Sequence, residues 1–177
     1  VPGRYHLSSD KQKHRYDLHR NDPGDEGYRR FLSRLVDPLA RRLKKGSEGL
    51  DYGSGPEPVL AAMLSDWGLK VEVYDPYYAP DDGVLQRKYD FLTCCETMEH
   101  FSDPRKEWER FLNLVRKGGW IGIMTQMLES ADDFARWHYI NDETHICFFS
   151  GRTFEWLGKR YGVTIIHEGM SVVLCQV

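Results

Sequence analysis

The chain has 177 residues, the size of one typical domain, and 41% of them are hydrophobic, which excludes a disordered or low-complexity chain. A formal net charge of −3 excludes the overall basic field that draws proteins to nucleic acid or anionic lipid. No apolar run reaches the length of a transmembrane helix, and the first ten residues lack the apolar core of a signal peptide. We therefore expect a single globular domain outside the membrane.

The amino-terminal stretch differs in character from the rest of the chain. Residues 1–25 are polar and end in the turn signal Asn-Asp-Pro-Gly, so we expect an arm or lid over 1–25 and a single domain over 26–177. From there, apolar residues recur at three- and four-residue spacing and predict an amphipathic helix that Pro38 interrupts and Gly46 ends. The residues on that face are Tyr28, Phe31, Leu32, Leu35, Leu39 and Leu43.

Strand and helix patterns alternate along the remaining chain. Strands are predicted over 48–52, 70–74, 89–95 and 120–125, and helices near 57–67, 104–116, 131–140 and 151–161. Residues 77–88 show no strand pattern, and 163–166 with 171–175 resemble an antiparallel hairpin. The alternation predicts an α/β fold of three layers: a mostly parallel sheet, with helices on both faces and an antiparallel edge.

The cysteines form no CxxC pair, which argues against a zinc knuckle or a redox dithiol. Each lies in an apolar run, where a free cysteine behaves as a small hydrophobic residue. We expect reduced thiols and a cytoplasmic location. The four residues are Cys94, Cys95, Cys147 and Cys175.

A glycine loop follows the first predicted strand, and Gly53 and Gly55 in it would let the backbone turn sharply and approach a ligand. Pro58 stands where a dinucleotide site would have its third glycine, and the adjacent Glu57 would repel a pyrophosphate, so a nicotinamide or flavin dinucleotide is disfavoured. Asp75 ends the second strand, at a distance from the glycines where a carboxylate can accept both hydroxyls of a ribose. The alternative is an ordinary strand-to-helix turn and a turn-forming Asp-Pro pair.

The chain resembles class I S-adenosylmethionine-dependent methyltransferases over residues 25–177. The motifs that carry the resemblance are Leu-Asp-Tyr-Gly-Ser-Gly-Pro at 50–56, Val-Tyr-Asp-Pro at 73–76, Tyr-Asp-Phe at 89–91, Glu-His-Phe-Ser-Asp-Pro at 99–104 and Lys-Gly-Gly-Trp at 117–120. The resemblance implies a Rossmann-like sheet of seven strands, of which the third is short or missing here, so no adenine contact is assigned.

The same resemblance implies how the cofactor is held. Asp51, Gly53 and Gly55 would surround its methionine portion, Asp75 and Pro76 its ribose, and Cys95 and Glu96 would lie beside it at the end of the fourth family strand. Tyr16 and His19 belong to a Tyr-x-x-His-x-Asn stretch that follows a cysteine-rich zinc segment in some similar proteins, and they could form a lid. No cysteine pair precedes the stretch here, so we expect the chain to be the catalytic part of a longer relative.

An acidic and histidine cluster follows the strand at 89–95. Glu96, Glu99 and His100 would share one face of a helical turn, and two carboxylates with an imidazole suit a divalent cation. The Glu-x-x-Glu-His pattern looks like the metal motif of ubiquinone-pathway O-methyltransferases and of methyltransferases that act on the 3′ ends of small RNAs, with His145 as a fourth ligand. In the metal-free alternative, His145 or His100 is the general base and Glu99 orients it.

The function expected from these residues is methyl transfer from S-adenosylmethionine to a small-molecule acceptor, O- or N-directed, by in-line displacement. Two alternatives stay open: an RNA methyltransferase with a metal-assisted hydroxyl acceptor, and a non-catalytic cofactor-binding domain. The basic residues of the arm would support RNA binding, but the sequence holds no dedicated RNA-binding module. A small-molecule acceptor is therefore favoured, while the sequence says nothing of its identity or of the oligomeric state.

Overall fold

The structure is a computed structural model that describes residues 1–18 and 22–177. Its α-helices are α1 (Ser9–Tyr16), α2 (Glu26–Ala40), α3 (Val59–Asp66), α4 (Pro104–Leu114) and α5 (Gly151–Tyr161). Its strands are β1 (Glu48–Tyr52), β2 (Lys70–Tyr74), β3 (Tyr89–Cys95), β4 (Val115–Met124), β5 (Thr164–Glu168) and β6 (Val172–Gln176). The expected alternation of strands and helices is confirmed.

The strands form one sheet in the order β2-β1-β3-β4-β6-β5. The first four are parallel neighbours, and β6 pairs antiparallel with both β4 and β5, so the predicted parallel sheet with a terminal hairpin is confirmed. The sheet of the described chain has six strands rather than seven. The missing one is the expected third strand, because residues 77–88 form a loop with a 3-10 turn at Val84–Gln86, as the strand-free pattern predicted.

Two hydrophobic clusters cover the two faces of the sheet and create the three layers. One cluster joins α4 and α5 to the sheet through Trp108, Phe111 and Phe154. The other joins α2 and α3 to the opposite face through Leu35 and Leu64. Strand β3 contributes residues to both clusters, Leu92 and Cys94 to the first and Phe91 to the second, so the loop at its carboxyl end follows a strand that is packed on both sides.

Helix α2 confirms the predicted apolar face but ends earlier than expected. The carboxylate of Asp25 starts the helix by accepting hydrogen bonds from the amides of Gly27 and Tyr28. The helix ends at Ala40 rather than at Gly46, in the turn that contains Pro38. Proline lacks the amide that would donate to the preceding turn, which favours termination close to it.

Other predicted boundaries are corrected. The helix predicted near 131–140 is wrong: two 3-10 turns, Ala131–Arg136 and His138–Asn141, stand there, separated by the extended backbone of Trp137. The amino-terminal arm contains a helix, α1, that the polar sequence did not reveal because none of its residues is buried. Helix α4 gives way directly to β4 at Val115.

No helix in residues 1–18 and 22–177 has both the length and the apolar character needed to cross a bilayer. All four cysteines are free thiols. Cys94 and Cys175 are buried, as expected of structural cysteines in apolar strands.

Candidate functional site

A cavity of about 540 Å³ opens at the carboxyl ends of β1, β2 and β3. In open α/β sheets this edge is where ligands bind. Among the described residues, seven carboxyl side chains line the cavity, against one arginine and two histidines. The seven are Asp51, Glu57, Asp75, Glu96, Glu99, Asp103 and Glu107. Such a lining favours a cationic ligand over a phosphate-bearing one.

The glycine loop after β1 forms one wall of the cavity. Gly53 has φ +80° and Gly55 has φ +67°, a region of backbone conformation that favours glycine. The Gly53 amide donates to the carbonyl of Tyr74 at 2.7 Å, which ties the loop to the end of β2. The sequence-based hypothesis of a tight turn is thereby confirmed in its backbone geometry.

Asp75 connects the two loops that bound the cavity. One carboxylate oxygen accepts a hydrogen bond from the Gly55 amide at 3.0 Å, and the other accepts from the amides of Tyr77 at 2.8 Å and Tyr78 at 3.1 Å. The side chain is buried and lines the cavity together with Pro76. Asp75 therefore fixes the shape of this wall and also presents a carboxylate to the cavity.

Replacing Gly53 with alanine is expected to deform the cavity. A Cβ at this position would lie 2.3 Å from Cγ2 of Thr97, and the positive φ would strain any side chain. We expect a loss of about 1–3 kcal/mol in the free energy of unfolding, from strain of this kind. Urea denaturation of the variant measures it, with Gly118→Ala as the matched control: Gly118 also has a positive φ, but a Cβ there meets nothing within 4 Å. Equal losses in the two variants would contradict the close packing of Gly53 on Thr97.

Asp51 lies behind the glycine loop and is almost fully buried. The Thr93 hydroxyl donates to its carboxylate at 2.8 Å. Burial raises the pKa of Asp51 to about 7, with the Thr93 hydrogen bond acting in the opposite direction. This carboxyl is therefore partly protonated at neutral pH until a cation lies beside it.

Glu96 and Glu99 meet at the inner end of the cavity through a shared partner. The Tyr139 hydroxyl donates to Glu99 in a very short hydrogen bond and also lies 3.3 Å from a Glu96 oxygen. The Thr125 hydroxyl donates to the second Glu99 oxygen at 3.0 Å. Burial and the neighbouring Glu99 raise the pKa of Glu96 to about 8, and burial also raises the pKa of Glu99.

The backbone of Glu96 is unusual, because it has φ +44° although it is not glycine. Its amide donates to the Met124 carbonyl at 2.7 Å, which locks this conformation at the end of β3. Strained residues of this kind cluster at functional sites. The predicted helical turn over Glu96, Glu99 and His100 begins later than expected: only 98–100 form a 3-10 turn.

His100 and His145 lie side by side, with ring centroids 5.0 Å apart. Nδ1 of His145 donates to the Tyr139 carbonyl at 2.7 Å, and Nδ1 of His100 donates to the Thr144 carbonyl at 3.0 Å. Because a carbonyl only accepts, both Nδ1 atoms carry protons, and Nε2 of neutral His145 is the basic atom of that ring. Burial lowers the pKa of His145, which favours the neutral form.

The amino-terminal arm covers part of the cavity. Gln12 and Tyr16 line it, and the Tyr16 ring lies 5.2 Å from that of His100. The Tyr78 hydroxyl donates to Asp17 at 2.6 Å, which ties the arm to the loop after β2. His19, which the sequence grouped with Tyr16, lies outside the described residues.

Most of the predicted site residues line this one cavity. They are Tyr16, Asp51, Gly53, Gly55, Asp75, Pro76, Cys95, Glu96, Glu99, His100 and His145. The hydroxyls of Tyr139 and Thr125 bind Glu99, and the sequence did not indicate these contacts. Their signal was weak, since a tyrosine and a threonine within or beside apolar runs look like core residues.

The buried acids predict how stability depends on pH. Because burial raises the pKa of Asp51 to about 7 and that of Glu96 to about 8, these two groups bind more protons in the folded state than in the unfolded state from about pH 4 upward. The free energy of unfolding should therefore fall as pH rises through this window, by up to about 1.4 kcal/mol per pH unit for each group.

Urea denaturation at pH 5, 7 and 9 measures this slope. Asp51→Asn removes one of these titrations, so the variant should lose stability less steeply between pH 5 and 7 than the unaltered chain does. Asp66→Asn, at an exposed position paired with Arg29, is the control and should leave the slope unchanged. A slope that is the same in Asp51→Asn and in the unaltered chain would show that Asp51 is ionised in the folded state.

Comparison with known proteins identifies the family. A family model described as "Methyltransferase domain" matches residues 25–168. Ubiquinone biosynthesis O-methyltransferase of Klebsiella pneumoniae is 29% identical over 77 residues, which are 44% of this chain and 32% of that protein. The chain thus matches about a third of the length of this curated relative.

Solved structures show the same fold. The 1,6-didemethyltoxoflavin-N1-methyltransferase of Burkholderia thailandensis, determined with its substrate and S-adenosylhomocysteine, superposes with a TM-score of 0.66 at 15% identity, covering 94% of this chain and 84% of that one. An O-methyltransferase family protein from Burkholderia thailandensis gives a TM-score of 0.63 at 12% identity, covering 93% and 62%. The family model matches residues 25–168, and the sheet has the strand order described above. The chain therefore belongs to the methyltransferase domain family, in the class I S-adenosylmethionine-dependent group.

Proposed function

We propose that the chain transfers a methyl group from S-adenosylmethionine to a small-molecule acceptor bound in the cavity at the ends of β1, β2 and β3. The observation that carries this proposal is the pairing of the Gly53–Gly55 turn with the Asp75 carboxylate across one acidic cavity. A relative that acts as an O-methyltransferase and a structural neighbour that acts as an N-methyltransferase support the reaction class but leave the acceptor atom open.

The residues of the cavity fit this cofactor. Its sulfonium and ammonium groups are cationic, and the lining is strongly acidic. Gly53 and Gly55 would admit the methionine portion with Asp51 behind them, and Asp75 with Pro76 would hold the ribose. Cys95 and Glu96, at the end of β3, would lie near the reacting group.

When bound, S-adenosylmethionine supplies an activated methyl group that a nucleophile takes by in-line displacement. The chain's own contribution is to hold the acceptor in line, exclude water and remove a proton. Nε2 of His145 is placed for that last task, because its Nδ1 donates to the Tyr139 carbonyl and its ring lines the cavity. An acceptor hydroxyl or ammonium would pass its proton to this nitrogen.

The arm acts as a lid in this proposal. Tyr16 and Gln12 line the cavity, and the hydrogen bonds of Tyr77 to Gln12 and of Tyr78 to Asp17 hold α1 over it. A lid of this kind would shield the reacting groups from water. It also limits the space for an acceptor, which favours a small molecule over an RNA strand, as does the acidic lining.

A second candidate keeps the same reaction but adds a divalent cation. Among the described residues, Glu99, His100 and His145 offer ligand atoms within 4.8 Å of one another. Glu96, the fourth expected ligand, is not in this group. A cation held there could acidify an acceptor hydroxyl. The hydrogen bonds that already engage both Glu99 oxygens favour the metal-free base. The Nδ1 hydrogen bonds of the two histidines fit either route, because a histidine that binds a metal commonly donates its other ring N–H to a carbonyl.

The proposal is tested by incubating the protein with S-adenosylmethionine and a panel of small phenols, alcohols and amines, and by measuring S-adenosylhomocysteine with mass spectrometry. The expected result is acceptor-dependent formation of S-adenosylhomocysteine in at least one class. A short single-stranded RNA with a free 3′ hydroxyl is tested as an acceptor in parallel. Turnover of the RNA alone would overturn the small-molecule proposal.

A further inference from the structure

Tyr139 touches the three groups that the proposed chemistry depends on. Its hydroxyl binds Glu99 and approaches Glu96, while its carbonyl accepts the hydrogen bond from Nδ1 of His145. Its ring also packs on that of His145, with centroids 4.1 Å apart. The side chain is 6% exposed, and it is not among the residues that line the cavity.

We propose that Tyr139 is the positioning residue of the acceptor end, holding the His145 ring and the Glu96 and Glu99 carboxyls in one fixed arrangement. This inference rests on the proposed function. Tyr139 is not among the residues that line the cavity, so we expect it to act through its neighbours.

The hydrogen-bond pattern shows why the phenol cannot be replaced by packing alone. Glu99 is fully buried and receives side-chain hydrogen bonds from Tyr139 and Thr125. Without the phenol, one oxygen of a buried carboxyl loses its partner, and such groups rearrange to recover a hydrogen bond. The Glu99 carbonyl also accepts hydrogen bonds from the amides of residues 146 and 147. A movement of Glu99 would therefore also move the segment that bears His145.

Tyr139 also fixes the orientation of the His145 ring. The Tyr139 carbonyl selects the tautomer with Nδ1 protonated, and the Tyr139 ring limits rotation of the imidazole. A phenylalanine keeps the carbonyl and the ring but loses the anchor to Glu99. We therefore expect the ring pair to gain freedom when the hydroxyl is removed, so that Nε2 spends less time in line with the acceptor.

Tyr139→Phe tests the inference, with Tyr161→Phe as the matched control. Tyr161 also donates to a carboxylate, that of Glu109, but it lies on α5, away from the cavity. With the acceptor that reacts in the panel above, Tyr139→Phe should lower kcat by about a hundredfold, the effect of a small misplacement of reacting groups. KM for S-adenosylmethionine should stay unchanged, and the control should behave as the unaltered chain does.

A spectroscopic readout is independent of the acceptor. In ¹⁵N nuclear magnetic resonance of the histidine rings, His145 of the unaltered chain should show a single tautomer with bare Nε2, and Tyr139→Phe should show averaged signals. Thr125→Val removes the other Glu99 donor and should cause a smaller loss of kcat, which keeps the test decisive if Tyr139→Phe folds poorly.

Unchanged kcat and an unchanged His145 spectrum in Tyr139→Phe, or in Thr125→Val where only that variant folds, would overturn the inference. A fall in thermal stability without any change in kcat would assign Tyr139 a structural role only and would overturn it as well. Titration of the unaltered chain with S-adenosylhomocysteine separates this failure from a failure of the proposed function, which would appear as no binding at all.

Discussion

Replacing Asp75 with alanine is expected to lower the affinity for S-adenosylhomocysteine by about a hundredfold or more. The proposed ribose contact consists of two hydrogen bonds to a charged oxygen pair, each worth about 1.5–3 kcal/mol when the acceptor is ionised. The variant also loses the acceptor of the amides of Gly55, Tyr77 and Tyr78, so both loops that bound the cavity lose their connection. Isothermal titration calorimetry measures the change.

Asp66→Ala is the control for this experiment, because Asp66 is exposed at the end of α3 and pairs only weakly with Arg29 across the surface. Its affinity for S-adenosylhomocysteine should equal that of the unaltered chain. Asp75→Asn adds a second comparison: it keeps the shape of the side chain but has one acceptor oxygen, so we expect an intermediate affinity. Binding by Asp75→Ala at the unaltered affinity would remove Asp75 from the proposed cofactor site.

Replacing His145 with alanine is expected to lower the rate of methyl transfer by about 10²–10⁴-fold, the usual contribution of a general base. Burial lowers the pKa of His145 below its ordinary value, so the contribution of His145 to activity should be lost as the pH falls below about 6.5. That acid limb of kcat/KM should be absent in His145→Ala. Steady-state rates between pH 5 and 9, with the acceptor found in the panel, measure both effects.

His167→Ala serves as the control, since His167 is exposed in the terminal hairpin. Treatment with a chelator distinguishes the mechanism with a histidine base from the metal-assisted mechanism. If His145 acts as a base, treatment with EDTA leaves the rate unchanged, whereas a rate that EDTA abolishes and Mg²⁺ or Mn²⁺ restores would favour the cluster of Glu99, His100 and His145 as a cation site. A rate unaffected by EDTA, by His145→Ala and by His100→Ala would leave positioning as the source of catalysis.

The sequence predicted the sheet and brought the Gly53–Gly55 turn and Asp75 to one site because local patterns determine both. Buried strands read as apolar runs, and the glycine turn with an acid after the next strand has a fixed spacing. Asp75 therefore could be assigned before its hydrogen bonds to Gly55, Tyr77 and Tyr78 were known. The loop that replaces the third strand was also evident, because residues 77–88 contain no strand pattern.

The acceptor end could be predicted only in part, because it depends on contacts between distant segments. Tyr139 reaches Glu99 across 40 positions of sequence, and His100 meets the segment around Thr144 across a similar distance. No local spacing encodes these pairs. The helix predicted near 131–140 failed for a related reason: the extended backbone at Trp137 divides the segment into two short turns, which the apolar spacing does not show.

The most direct test of the central claim is a crystal structure of the protein with S-adenosylhomocysteine. The ribose hydroxyls are expected within hydrogen-bond distance of Asp75, the methionine portion against Gly53 and Gly55, and the sulfur on the side of Glu96. Electron density for the ligand at any other place, or an unoccupied cavity in crystals soaked at millimolar ligand, would contradict the assignment of this cavity as the methyl-donor site.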